Sequence, residues 1–274
     1  GIPAARYCAG CHMPIALLSG ELSAGATIDQ GMHVQEGVSC MSCHGIKEVL
    51  SLEGVGSYLY EPQKDYLFND SDNFIKTEIT NYLIKINPRQ HQKDMARDIL
   101  SDPASCATCH EQYIDKELNN WGWIKLQSQY QAWVEGPFSS HSDRRHANSQ
   151  SYRCQDCHFP LVDSEDPSAN TAGQHRSHRS PAANTAVPYI LGDKEQLKIV
   201  TEFLEADRLS ISLHQEKAVL SVDEQRLTSR EQTTGIRQSD KNNGTQTIII
   251  HTSVSSNRIG HNFPAGTVDL NEPW

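Results

Sequence analysis

In "GDKEQLKIVTEFLEA" the apolar positions recur at helical spacing, with Asp193 placed as an N-cap and Gln196 as its capping-box partner. From Arg208 onward the pattern changes. "LSISLHQEKAVLSV" and "TQTIIIHTSV" alternate or run β-branched, as strands do, and "TSREQTTGIRQSDKNNGT" between them reads as a long polar connection. Upstream, "NPRQHQKDMARDIL" predicts a helix beginning near Pro88. "CHEQYIDKELNNWGWIKLQSQYQAWVEG" predicts a helical pair whose Trp121, Trp123, Tyr130 and Trp133 form a core packed on cofactor, with electron relay as the alternative role. "LEGVGS" and "VDSEDPSANTAGQ" are a glycine-rich connection and a polar loop. The fold expected is a mostly α and loop domain with little regular sheet over residues 1–190. A helix and the start of a β-sandwich-like domain follow over residues 191–274.

Composition narrows the classes. The chain is 37% hydrophobic but only 7% aromatic, which is lean for 274 residues. A formal net charge of −10 makes nucleic acid and anionic membrane poor partners. No run of about 20 apolar residues suits a transmembrane helix.

The cysteines carry the chemistry. All eight fall into four C-x-x-C-H runs: Cys8, Cys11 and His12; Cys40, Cys43 and His44; Cys106, Cys109 and His110; Cys154, Cys157 and His158. A redox dithiol needs one pair and no histidine, and a disulfide framework does not impose equal spacing. Paired zinc ribbons would leave the repeated histidine idle. C-x-x-C-H is the attachment signature of c-type haem. Positions three and four apart share a helix face, so the two thiols can form thioethers along one porphyrin edge, and the next residue offers the iron an imidazole. In "SDPASCATCH", Asp102 suits an N-cap and Pro103 the first helical position. Four haems c would supply the apolar plates that the side chains do not, and their propionates would make the molecule still more acidic.

Covalent haem attachment takes place outside the energy-transducing membrane, so an exported, periplasmic or extracellular location is expected. "GIPAARYC" has no signal-peptide character, and both ends of the chain read as cut. A pure electron carrier also needs a sixth ligand on each iron. The methionines are Met13, Met32, Met41 and Met95, and Met13 and Met41 lie beside or inside attachment runs. The non-motif histidines are His33, His91, His141, His146, His175, His178, His214, His251 and His261. Bis-histidine ligation is therefore the expectation, since a methionine ligand would be badly placed.

"HQKDMARDILSDPASCATCH", "LQSQYQAWVEGPFSS", "CQDCHFP", "SHRSPAANTAVP" and "GHNFPAGT" together resemble a large group of multihaem c-type cytochromes. That group is related to the tetrahaem cytochromes that take electrons from hydroxylamine oxidation. The resemblance runs from about Tyr7 to the C-terminus. It implies that His33, His91, His178 and His261 are the distal ligands, with His175 competing with His178. Phe159 departs from the methionine usual after "CQDCH" in the group.

Two functional classes follow. In the first, saturated irons pass electrons between redox protein partners or neighbouring cytochrome subunits, as a homo-oligomer or filament in one version, and the protein is not an enzyme. In the second, one open iron reduces a nitrogen or sulfur oxyanion with help from Arg144, Arg145 and His146. The supply of histidines favours the first.

Overall fold

A computed structural model describes residues 3–22, 34–54, 56–62, 66–68, 72–140, 150–165, 169–214, 234–239, 245–263 and 265. His33, His141, Arg144, Arg145 and His146 lie outside the described residues. The chain divides into two compact units, residues 1–182 with 260–274, and residues 183–259.

In the first unit, α1 (Pro3–His12) carries the first C-x-x-C-H run, and Pro14 opens α2 (Pro14–Leu18) immediately after it. Proline has no N–H to lose at a first helical position, so it restarts the helix on a new axis. Ala9, Ala16 and Leu22 bury against each other there, with Met13, Leu17 and Val34 packed around them. The second run is α3 (Cys40–His44), where the Ser39 N–H donates to Ser42 Oγ at 3.0 Å. Strands β1 (Ile46–Val49) and β2 (Tyr58–Tyr60) then form an antiparallel hairpin.

Helix α4 (Phe74–Ile86) is capped by Asn73, whose side chain accepts from the Ile75 and Lys76 N–H groups. Helix α5 (Pro88–Met95) begins at the proline read as its start. A 3₁₀ turn, Asp98–Ser101, leads to α6 (Ala104–His110), the third run. That helix starts one residue later than the capping pattern indicates, and Asp102 Oδ1 still accepts the Ala104 N–H at 2.9 Å.

The segment after His110 corrects one expectation. It is not a helical pair but a hairpin of β3 (Glu111–Ile114) and β4 (Ile124–Ser128), with the single turn α7 (Lys116–Asn119) at its tip. The Asn119 side chain closes the tip: its Oδ1 accepts from Trp121 and Gly122 N–H, and its Nδ2 donates to the Ile114 and Gly122 carbonyls. Trp121 and Trp123 stand at 86% and 67% exposure there, so of the tryptophans expected in the core only Trp133 is buried. Trp133 lies on α8 (Gln129–Val134), and its indole N–H donates to the Tyr152 carbonyl at 2.9 Å.

The fourth run is α9 (Cys154–His158), followed by the hairpin of β5 (Leu161–Asp163) and β6 (Gln174–Arg176). Asp156 on α9 binds Arg153 at 3.0 Å and Arg176 at 2.6 Å. Gln155 Nε2 ties α9 to the Leu100 and Asp102 carbonyls ahead of the third run.

The second unit holds α10 (Ala186–Leu191), stopped by Gly192 at φ 70°, and α11 (Lys194–Glu205). Asp193 caps α11 as expected, accepting the Gln196 N–H at 3.0 Å. Its strands are β7 (Leu209–His214), β8 (Thr234–Ser239) and β9 (Thr245–Ser256), in the order β7-β9-β8. Strand β8 lies inside the segment read as a polar connection. The expected β-sandwich-like segment is not present among the described residues. They form one three-stranded antiparallel sheet here and three separate two-stranded sheets in the first unit, none closed or packed face to face. A sandwich buries one face of each sheet against the other. Here Ile211, Leu213 and Val254 are exposed on a sheet with no described second sheet.

The Asp156 network sets a stability prediction. Burial works to raise the Asp156 carboxyl, but hydrogen bonds from Arg153 and Arg176 outweigh it and hold it at about 2, against 3.8 ordinarily. A depressed carboxyl stabilises the fold above its unfolded value, and that contribution disappears as the pH falls through the folded one. Asp156→Asn should cost on the order of 1 kcal/mol at neutral pH, since the network is partly screened by solvent. In denaturant unfolding the difference from the parent should shrink as the pH drops from 3.8 toward about 2.

Candidate haem-binding site

Each of the four motif histidines is the last residue of its helix: His12 of α1, His44 of α3, His110 of α6 and His158 of α9. Short helices that begin at or before the first cysteine and stop at the histidine put both sulfurs on one side and leave the imidazole at the free end.

Close backbone contacts bring the runs together. The loop of the β1–β2 hairpin lies between α1 and α6: the Gly56 N–H donates to the Thr108 carbonyl at 2.9 Å, and Gly54 bridges to Gln112. Gly54 has φ +81°, and a Cβ there would overlap the Glu111 carbonyl, so only glycine fits. The Cys11 thiol donates to the Thr108 carbonyl at 3.7 Å and also shares a hydrogen bond with Cys109. That shared bond pushes the Cys11 thiol up and the Cys109 thiol down to about 7. Cys106 and Cys154 form a second such pair, with Cys106 raised and Cys154 lowered. The third run thus touches the first through one sulfur and the fourth through the other.

The histidines show the most informative geometry. The His44 and His178 rings have centroids 6.2 Å apart with 29° between their planes. Those of His158 and His261 are 6.4 Å apart with 6° between planes. Two imidazoles on opposite sides of one metal atom, each nitrogen about 2.0–2.1 Å from it, put their ring centroids about 6.3 Å apart. Both pairs have that spacing, and each joins a motif histidine to one placed far away in sequence. The described ring contacts select His178 rather than its neighbour His175. His214 and His251 sit opposite each other across β7 and β9.

The second ring nitrogens support the same chemistry. A metal-bound histidine typically donates its other N–H to a carbonyl, a carboxylate or a similar acceptor, which fixes the tautomer. His158 Nδ1 lies 2.8 Å from the Pro181 carbonyl, and His261 Nδ1 lies 2.9 Å from the Asn262 carbonyl. His91 Nδ1 is 3.0 Å from the Tyr66 hydroxyl, which reaches Asp94 at 3.5 Å. His91, His158 and His261 thus each face an oxygen acceptor with Nδ1. His110 differs: its Nδ1 faces the Gln127 side-chain nitrogen, a donor, at 3.3 Å, so there the imidazole nitrogen accepts.

Desolvation and the neighbouring His158 lower the His110 pKa. A neutral imidazole is the form that ligates. Among the described residues no three His, Cys, Asp or Glu side chains converge as a self-sufficient metal site. A porphyrin supplies four of six iron ligands and asks the protein for only two. Paired imidazoles with cysteines at C-x-x-C spacing fit haem c on that account.

Residues 2–45 match the family described as cytochrome c554 and c-prime. The match spans the first two C-x-x-C-H runs, through His44. No curated protein and no solved structure matches the chain. The match is consistent with a cytochrome-type relationship and with electron transfer, and it covers this stretch alone. No helix among the described residues is long and apolar enough to cross a membrane.

Sequence reasoning did not find the oxygens that face the imidazole Nδ1 atoms: the Tyr66 hydroxyl and the Pro181 carbonyl. They carry no motif, because each is brought in by tertiary contact. Gly136 was missed for the same reason. A Cβ on it would overlap the Gly260 carbonyl, so its lack of a side chain lets the Gly260 backbone, next to His261, come close to the end of α8.

Gly136→Ala should therefore cost about 1–3 kcal/mol by overpacking, measurable by denaturant unfolding. A crystal structure of the variant should show Gly260 and His261 displaced while the His44–His178 spacing is retained.

Proposed function

We propose that the chain binds four haems c, one at each C-x-x-C-H run, and transfers electrons through them in respiratory or extracellular electron transport. The observation that carries this reading is the pair of imidazole spacings, 6.2 and 6.4 Å, each between a motif histidine and a distant one. Haem iron, when bound, would supply the one-electron chemistry.

The residues would divide the work as follows. Cys8, Cys11, Cys40, Cys43, Cys106, Cys109, Cys154 and Cys157 would hold the porphyrin edges. His12, His44, His110 and His158 would be the proximal ligands. His178 would complete the ligation of the haem on His44, and His261 that on His158. His91, oriented by Tyr66, and His33 would serve the haems on His12 and His110. With both axial positions closed by histidines built into the fold, a substrate would have to displace one of them, which favours a carrier over an enzyme. The sulfur contacts between runs, Cys11 with Cys109 and Cys106 with Cys154, favour haems near contact. Covalent attachment implies export, and the acidic surface suits redox protein partners or further cytochrome subunits.

Two outcomes test this. Mass spectrometry of the denatured protein should show four added haems and no alkylatable thiol; a haem-free chain containing zinc would end the reading. Replacing His33, His91, His178 or His261 singly with methionine should raise the potential of one haem while leaving the other three nearly unchanged. Redox titration followed optically reads each case. A His33→Met variant with all four potentials unaltered would remove His33 from the ligand set.

A further inference from the structure

The residue after the fourth motif histidine is Phe159, and its ring does not stay with its own run. It lies edge-on against His178, with centroids 6.3 Å apart and 78° between planes. His178 in turn faces His44 of the second run. A side chain from the fourth run therefore touches the imidazole assigned above to the haem of the second.

The backbone around this contact is tightly tied. Phe159 donates its N–H to the Gln155 carbonyl at 3.0 Å, which fixes it to the end of α9. Arg176, two residues before His178, donates from Nη1 to the Gln155 and Phe159 carbonyls at 2.7 and 2.9 Å. Its Nη2 reaches Asp156 Oδ1 at 2.6 Å. The Ser177 N–H donates to the Pro160 carbonyl at 2.8 Å. Residues 176–177 are thus held to residues 155–160 on the side next to His178, and Phe159 fills the space between α9 and the imidazole.

We propose that Phe159 is a positioning residue for a haem other than its own: it braces His178 so that the fourth run sets the axial geometry of the haem on the second. The proposal rests on the ligation by His44 and His178 argued above. An aromatic edge against the His178 imidazole would restrict rotation of that ring when it holds iron and would help keep water from it. The planes of His44 and His178 stand 29° apart. Leucine would keep apolar bulk there but lose the aromatic contact, and tyrosine would keep the ring.

The test compares the haem-loaded parent with Phe159→Leu, Phe159→Tyr, His178→Met and His261→Met, each confirmed by mass to carry four haems. His178→Met identifies which low-spin ferric resonance belongs to the haem ligated by His178. In Phe159→Leu that same resonance should shift, and cyanide should displace the histidine at that haem about 2- to 12-fold faster. Phe159→Tyr should remain within about 2-fold of the parent. If the resonance lost in His178→Met is unmoved in Phe159→Leu, the brace does not exist. If the resonance that moves is instead the one lost in His261→Met, Phe159 acts only on its own run and the proposal fails. If His178→Met alters no resonance, the ligation itself is wrong, and that failure is visible without any Phe159 variant.

Discussion

The rest of the structure depends on a shortage of buried apolar side chain. Among the described residues, the buried hydrophobic ones are Ala9, Ala16, Leu22, Ile46, Ala107, Ala132, Trp133 and Val200, and half of them are alanine. A chain of this length normally buries a far larger apolar core. Small residues concentrate at the C-x-x-C-H helices: Ala9 sits inside the first run and Ala107 inside the third. They let backbones approach at Gly56 and Thr108 and bring sulfurs of different runs into contact. In the proposed reading, flat porphyrins complete a core that the side chains begin.

That arrangement explains why the fold is built from short helices and separate hairpins. Each helix needs only enough turns to align two cysteines and end on a histidine. Each hairpin then carries a loop or flanking segment that delivers something to another run. The β1–β2 loop packs against α6 through Gly54 and Gly56, and the segment after β6 delivers His178 to His44. The residues after Gly260 return to the first unit and deliver His261 to His158. Polar ties such as Arg176 to Asp156 hold these deliveries in place where apolar packing is thin.

The four C-x-x-C-H runs were legible as short helical segments because their pattern is local: helical spacing alone places both cysteines and the histidine. The Asp193 cap and the start of α5 at Pro88 were legible for the same reason. The partners of His44 and His158 are contacts between residues more than a hundred positions apart, and only the family resemblance pointed to His178 and His261. The β-branched run 245–256 correctly announced a strand, but strand propensity says nothing of how many sheets will form. The sandwich was therefore a mistaken extrapolation from one sheet. Residues 111–128 misled because four- and five-residue strands are too short to show a period. Asn119 and Gly122 make the turn by side-chain bonding and unusual backbone angles rather than by a recognisable turn sequence.

The central claim is that His44 with His178 and His158 with His261 each ligate one iron from both sides. Electron paramagnetic resonance of the fully oxidised protein tests it most directly. Nearly parallel imidazole planes, at 29° and 6°, act on the same iron d orbital and split the remaining levels widely. The account predicts at least two rhombic low-spin ferric signals, each lost when its distal histidine, His178 or His261, is replaced. A high-spin signal integrating to one or more irons and unaffected by those replacements would contradict it.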